Sequence, residues 1–384
     1  MAETPTKLAM LKSTEQVLEY LSVVAGASLP ERFRNPTSII QLTTGLANGI
    51  HRLVLSAPLS NTNIGDGPRT VILKHSTPHI IDVGGKTVVW DLWPYDLRAL
   101  REVPNTERVK TPKVYWVDET NRVVIIEDAG PESRTLKDVL LSDTIPSVGV
   151  FRQIGDELGK YLAQLHTWGS SPEVMSRFEN KDARVIASWR TVGRVEDEVE
   201  KACPDIPQDV KTALKTWCDK EKEKAMNGVD TVIMGDFWTG NVLVNLTAAG
   251  ELESLYVVDW EMVRPADAAV ELSQMLAEVW EAGQFGRSTD AKAAAKDLAV
   301  ALCSAYEHGA RMLPENMLRD VMVGAGAHVA VWAEFGFTKQ ITTEACQTAK
   351  RKAGKLIQEA LTGGTEGGQA SAWGLAGLDK STKP

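Results

Sequence analysis

The sequence predicts an α+β fold with a β-rich N-terminal part followed by a larger, mostly helical C-terminal part. Three observations lead there. At 384 residues the chain is too long for one simple core and suits two packed sub-domains. From Ser38 to Glu127, β-branched runs alternate with Gly, Asn and Pro, whereas from Val148 apolar residues recur at helical spacing. Late in the helical part, two short apolar runs, TVIM and LYVV, each end in polar residues. The boundaries expected from these shifts give an N-terminal helical extension over 1–36, a β-rich lobe over 37–128, a helical lobe over 129–362 and a flexible tail over 363–384.

Taken in order, residues 13–26 read as a helix. Ser13 and Gln16 make a capping-box pair, Val17, Leu18, Leu21 and Val24 give an apolar face, and Gly26 can close it. SIIQLTTGLANGIHRLVL holds two strands joined through Thr44 to Gly49, and TVILKHS is a third strand with Lys74 inside it. Asn61 to Arg69 is a polar surface loop. DLWPYDLRALREV reads as a helix, and TPKVYWVD with NRVVIIED as an antiparallel pair joined through Asp118 to Asn121. Gly84-Gly85-Lys86-Thr87 ends like a Walker A motif, but Ile80 stands where its first glycine is required, so it reads as a turn. FRQIGDELGKYLAQLHTWG is a helix, with His166 near its buried end read as structural. Charged-faced helices follow to about Gly228, and Lys220 to Lys224 reads as a solvated face. RPADAAVELSQMLAEVWEAG, 291–310 and 314–336 give three more helices.

Bulk properties exclude several classes. A hydrophobic fraction of 43% and a charged fraction of 24% belong to an ordinary soluble globular protein. The net charge of −9 argues against nucleic-acid and anionic-membrane partners, which call for a basic face. No apolar run is long enough to span a bilayer, and MAETPTKLAM lacks a signal-peptide core. Cys203, Cys218, Cys303 and Cys346 contain no C-x-x-C pair and read as reduced thiols, so a cytoplasmic protein is expected. Oligomeric state is not legible.

The chemistry is concentrated in TVIMGDFWTGNVLVN and LYVVDWE. Asp236 and Asn241 stand in D-x-x-x-x-N spacing with Gly235 and Gly240 beside them, and Asp259 and Glu261 leave the end of the next strand. Kinases assemble this set: one Asp takes or orients the acceptor hydroxyl proton, while the Asn and the second Asp hold magnesium against the phosphates. Taken singly, each has a bland alternative as a turn or strand-end residue. In this order, on these elements, the set points to phosphoryl transfer.

TVIMGDFWTGNVLV followed by VVDWE resembles the core of the aminoglycoside phosphotransferase and choline kinase group, and within it the fungal methylthioribose kinase-like branch that includes hydroxytryptamine kinases. VILKHSTPH, GAHVAVW and the D-x-E of Asp259 and Glu261 are similar to that branch. The resemblance spans roughly 38–360 and is specific at the core. It implies a bilobal protein-kinase-like fold, ATP and Mg²⁺ as cofactors, and a small-molecule alcohol as acceptor. Asp236 would be the catalytic base, and Asn241, Asp259 and Glu261 the metal ligands. Lys74 would grip the α- and β-phosphates under the Gly45 and Asn48 loop, paired with Asp96 or, alternatively, Glu102. Backbone near Glu127 and Ala129 would meet the adenine. The group usually has His where this chain has Met234, and an Asp where it has Glu271. His328, Trp332, Glu334 and Phe335 offer aromatic and acidic groups for a cationic aromatic acceptor, although core packing explains any one of them. Two rivals stand beside an active small-molecule kinase. A pseudokinase would retain binding without transfer, and a protein kinase would need the D-F-G and A-P-E signatures that are absent here.

Overall fold

A computed structural model describes residues 10–44, 48–59, 69–83, 86–228, 230–310, 317–337 and 341–363. The expected phosphate-loop residue Gly45, the connection around 61–68, the Gly84-Gly85 turn and the tail beyond Gly363 lie outside them. The chain folds as two compact units, Met1–Val103 with Thr111–Ser133, and Pro104–Lys110 with Arg134–Pro384. The first is β-rich and the second mostly helical.

The first unit is built on a five-stranded antiparallel sheet with strands in the order Ser38–Thr44, Asn48–Val54, Thr70–Ser76, Val123–Glu127 and Val114–Asp118. Strand periodicity sorts its side chains between two cores. Val71, Leu73, Val123 and Ile125 face the N-terminal segment and pack with Val17, Tyr20, Leu21, Leu29 and Phe33. Ile72, Val124 and Ile126 face the other way, onto Trp93 and Leu97 of helix Trp93–Glu102. Lys74 has the parity of Ile72, which directs it to that helix.

The predicted helix over 13–26 is divided. Ser13 and Gln16 form the capping box of Thr14–Glu19, but the chain then widens into a π-turn, Tyr20–Val24, and tightens into a 3₁₀ turn, Gly26–Ser28. Of the expected apolar face, Val17 and Leu21 are buried, whereas Leu18 and Val24 are exposed because the widened turn rotates the face; Tyr20 is buried instead and its Oη donates to Asp118 at 2.7 Å. A second hairpin, His79–Val83 with Lys86–Trp90, was not foreseen as strands.

In the second unit, helix Val148–Gly169 packs on helix Ala291–Gly309 so closely that a Cβ on Gly155 or Gly159 would lie 2.1 or 2.3 Å from the carbonyl oxygens of Leu298 or Leu302. Ala269–Phe285, Met317–Gly336 and Thr343–Leu361 form a second helical group, the last of them unpredicted. Two small sheets complete the unit. One runs Val109–Lys110, Leu252–Val257, Val242–Leu246, Arg134–Thr135, and the other pairs Thr231–Ile233 with Arg264–Ala266. Arg264 therefore opens a strand where a helix was expected, and the helix begins only at Ala269. Proline tolerates an extended edge better than a helix interior, and cross-strand pairing decides the local conformation.

Lys220–Lys224 also departs from its expected role as a plain solvated face. Lys224 Nζ lies 2.9 Å from Glu221, 3.0 Å from Asp267 and 3.3 Å from Asp320, tying the helix Gln208–Asn227 to the connection before helix Ala269–Phe285 and to helix Met317–Gly336.

Candidate active site

The hairpin Val242–Leu246/Leu252–Val257 positions the chemistry. Its register sets Val242 opposite Val257, and the amide of Val258 donates to the carbonyl of Asn241 at 3.0 Å. Asn241, at the start of one strand, is thereby adjacent to Asp259, just past the end of the other. Asp259 has φ 69°, a left-handed backbone that costs a non-glycine residue about 1–2 kcal/mol and persists where the surroundings enforce it. Trp260 enforces it here: the indole is fully buried and its Nε1 donates to the Val257 carbonyl at 3.1 Å.

Asp236 sits on the turn before this hairpin. Gln274 Nε2 donates to its Oδ1 at 2.9 Å, and Asn241 Nδ2 donates to its Oδ2 at 3.1 Å and to its carbonyl at 3.0 Å. The carboxylate is therefore gripped on both oxygens. Burial pushes its pKa up, the Gln274 hydrogen bond opposes this, and the charges of Glu261 and Glu278 push the same way as burial.

The turn preceding Asp236 is fixed from behind. Gly235 has φ 81°, and an added Cβ would lie 2.3 Å from the Met262 carbonyl oxygen. Its amide donates to Glu271 Oε1 at 3.0 Å, and Glu271 Oε2 meets His166 Nε2 at 2.8 Å. His166 Nδ1 in turn meets Tyr306 Oη at 2.9 Å. Glu271 thus braces the loop, and His166 is structural. Met234 is fully buried, so packing occupies the position where the related group has His. Arg264, also buried, donates to the Met262 carbonyl at 3.0 Å. Asn180, fully buried, donates to the Glu261 carbonyl at 3.1 Å while capping helix Lys181–Arg190 through Ala183.

Residues 98–312 match the model of the phosphotransferase enzyme family. The chain belongs to that family. Its chemistry is phosphoryl transfer to small-molecule hydroxyls. Two curated relatives are each named 4-hydroxytryptamine kinase. The one from Psilocybe cyanescens is 25% identical over 341 residues, and the one from Psilocybe cubensis 22% over 339. In both cases the match covers 85% of this chain and 87% of the relative. Among solved structures, a Plasmodium vivax ethanolamine kinase aligns over 91% of this chain and 89% of its own, with 10% identity and a TM-score of 0.46. A microcompartment-associated aminopropanol kinase covers 91% and 98%, with 16% identity and a TM-score of 0.46.

In the first unit of this phosphotransferase, Lys74 Nζ lies 2.7 Å from Asp96 Oδ2, with both side chains at most 5% exposed. The sequence left Asp96 and Glu102 as alternatives; the ion pair is with Asp96, in the first turn of helix Trp93–Glu102. Asn48 is buried opposite Ser76. Glu127 closes its strand, with its amide donating to the Lys113 carbonyl at 2.8 Å. Asp128, just beyond, binds Arg52 at 2.6 Å.

Three of the four residues named from sequence are in ring contact, with Trp332 6.4 Å from His328 and 5.8 Å from Phe335 between centroids, but the cations they meet are the protein's own. Trp332 Nε1 donates to Thr191, and the cations over its ring are Arg190 and Arg194, at 5.1 and 5.9 Å. Phe335 is 57% exposed, and Glu334 lies 3.5 Å from Lys350. His328 is buried and meets Glu278 Oε1 at 3.2 Å. Gln274, Glu278 and Glu281 were missed. All three lie on one helix whose apolar residues run round nearly its whole circumference, so no polar stripe marked them.

Proposed function

We propose that this phosphotransferase moves the γ-phosphoryl group of ATP to the hydroxyl of a small hydroxylated amine, with a hydroxytryptamine as the leading acceptor. The observation that carries the reading is Asp236, gripped on both oxygens by Gln274 and Asn241 beside the Asp259 turn. The name shared by the two Psilocybe relatives supports the acceptor. The acceptor oxygen attacks the γ-phosphorus, the bond to the β-bridging oxygen breaks, ADP leaves, and the hydroxyl proton passes to Asp236. Burial and neighbouring carboxylates make Asp236 a stronger base than an exposed Asp. Its two hydrogen bonds fix the direction of its lone pairs, and positioning is most of what this reaction asks of a protein.

Asp259, Glu261 and the Asn241 carboxamide oxygen form an all-oxygen donor set, which suits a hard cation such as Mg²⁺. Bound there, magnesium would neutralise charge developing on the phosphates. Lys74, held by Asp96, is assigned to the α- and β-phosphates, and Gly45 and Asn48 to the loop above them. Backbone groups near Glu127 and Ala129 are assigned to the adenine. Among the described residues no helix is long and apolar enough to cross a membrane. All four cysteines are free thiols, which fits a cytoplasmic setting.

The test is mass spectrometry of purified protein with Mg-ATP and 4-hydroxytryptamine beside other hydroxylated amines and sugars. A product 80 Da heavier (about the mass of one phosphoryl unit), absent with Asp236→Asn, is the expected result. Equal product from Asp236→Asn would overturn the role of Asp236. Mg-ATP binding without any product would leave a nucleotide-binding protein without transferase activity.

A further inference from the structure

Glu278 and Glu281 stand three residues apart on helix Ala269–Phe285, so they share a face. His328 reaches them from helix Met317–Gly336, and one ligating atom from each of the three falls within 4.8 Å of the others. The three are unequally served. Glu278 meets His328 Nε2 at 3.2 Å and accepts from Thr239 Oγ1 at 3.4 Å. Glu281 is 0% exposed, and neither of its carboxylate oxygens has a hydrogen-bond partner. A buried carboxyl without donors costs free energy unless something supplies them.

Lys137 is near but does not supply them. Its ammonium donates to the Gly336 carbonyl and lies 4.0 Å from the centroid of Phe337 and 5.0 Å from that of Trp238. Two carboxylates against one lysine leave a single negative charge uncompensated. The cluster also borders the catalytic loop, because Thr239 belongs to that loop and the charges of Glu278 and His328 both act on Asp236.

We propose that Glu281, with Glu278, receives the protonated amine of the acceptor, so that the hydroxyl at its other end is presented to Asp236. This rests on the phosphotransferase reading and deepens it: the acceptor class is an aromatic or aliphatic alcohol carrying a cationic amine. An ammonium ion offers three N–H donors, enough for both Glu281 oxygens and one of Glu278. A monocation cancels the deficit, whereas a divalent metal would over-neutralise it beside the Lys137 ammonium. The Trp238 and Phe337 rings likewise suit an organic cation. Burial, and then the charge of Glu278, push the Glu281 pKa well above its ordinary value.

The experiment compares 4-hydroxytryptamine with its neutral counterpart, in which a methyl group replaces the amine, as acceptors for the full-length protein and for Glu281→Gln. Wild type is expected to prefer the amine by on the order of a hundredfold in kcat/KM, and Glu281→Gln by less than tenfold. Glu281→Gln should melt no lower than wild type. If it does not fold, the wild-type preference and the same ratio in Glu278→Gln decide. A preference unchanged within about threefold in the folded variant, or none in wild type, overturns the proposal. So does stoichiometric Zn²⁺ or Mn²⁺ binding by the nucleotide-free protein that Glu281→Gln abolishes, since that makes the cluster a metal site. If wild type phosphorylates neither compound, calorimetry with the amine separates the two readings. Binding lost in Glu281→Gln upholds this site and rejects 4-hydroxytryptamine as the phosphate acceptor; binding retained in the variant, or absent from wild type, rejects this site.

Discussion

Lys74–Asp96 in the first unit and Glu278–Glu281–His328 in the second are both buried charge clusters, but only one is balanced. Lys74 and Asp96 neutralise each other at 2.7 Å with almost no exposure. Glu281 is equally buried and has no donor. The first arrangement is complete as it stands, with a lysine set in a defined orientation before any phosphate arrives. The second is complete only with a cation from outside. Burial thus has opposite meanings in the two places: it preserves an internal pair in one and prepares for a ligand in the other.

This contrast can be broken by substitution. Asp96→Ala should have the largest effect on stability, about 3–5 kcal/mol, because it strands a buried ammonium; urea unfolding with a normal m-value would measure it. Gly235→Ala forces a Cβ against the Met262 carbonyl at a positive φ and should cost at least about 2 kcal/mol while nearly abolishing turnover. A milder loss would show that the loop can shift. Glu281→Gln should go the other way, with the amine-free protein gaining about 1 kcal/mol, and a clear loss would mean that Glu281 has a structural partner. The smallest effect concerns pH. Asp236 must be ionised to accept a proton and its pKa is raised, so kcat/KM should fall as pH drops through a value above the ordinary 3.8 of an Asp. An acid limb at or below that value would remove Asp236 as the base.

The sequence shows these two clusters to different degrees. Lys74 was legible because a single cation interrupts a β-branched run, and strand parity then aims it at the neighbouring helix. Asp236, Asn241 and Asp259 were legible because glycines and strand ends isolate polar residues in a fixed order. Asp96 was separable from Glu102 only in three dimensions, since both lie on the same helix. Glu278 and Glu281 were hidden because helix Ala269–Phe285 is buried on most sides, where a carboxylate looks in sequence like an ordinary helix-surface residue. His328 was noticed for its aromatic neighbours, yet its partner is a carboxylate. Arg264–Ala266 was misread because three residues are too few to show a period.

The contact chain Tyr306–His166–Glu271–Gly235 has a consequence for inheritance as well as for mechanism. The catalytic loop occupies a short stretch of sequence, but its posture is written on three helices, the first of which lies about a hundred residues before the other two. A screen of random variants for folded protein that has lost turnover should therefore return changes at Tyr306 and His166 alongside those at Asp236, and second-site revertants of one should map to the others.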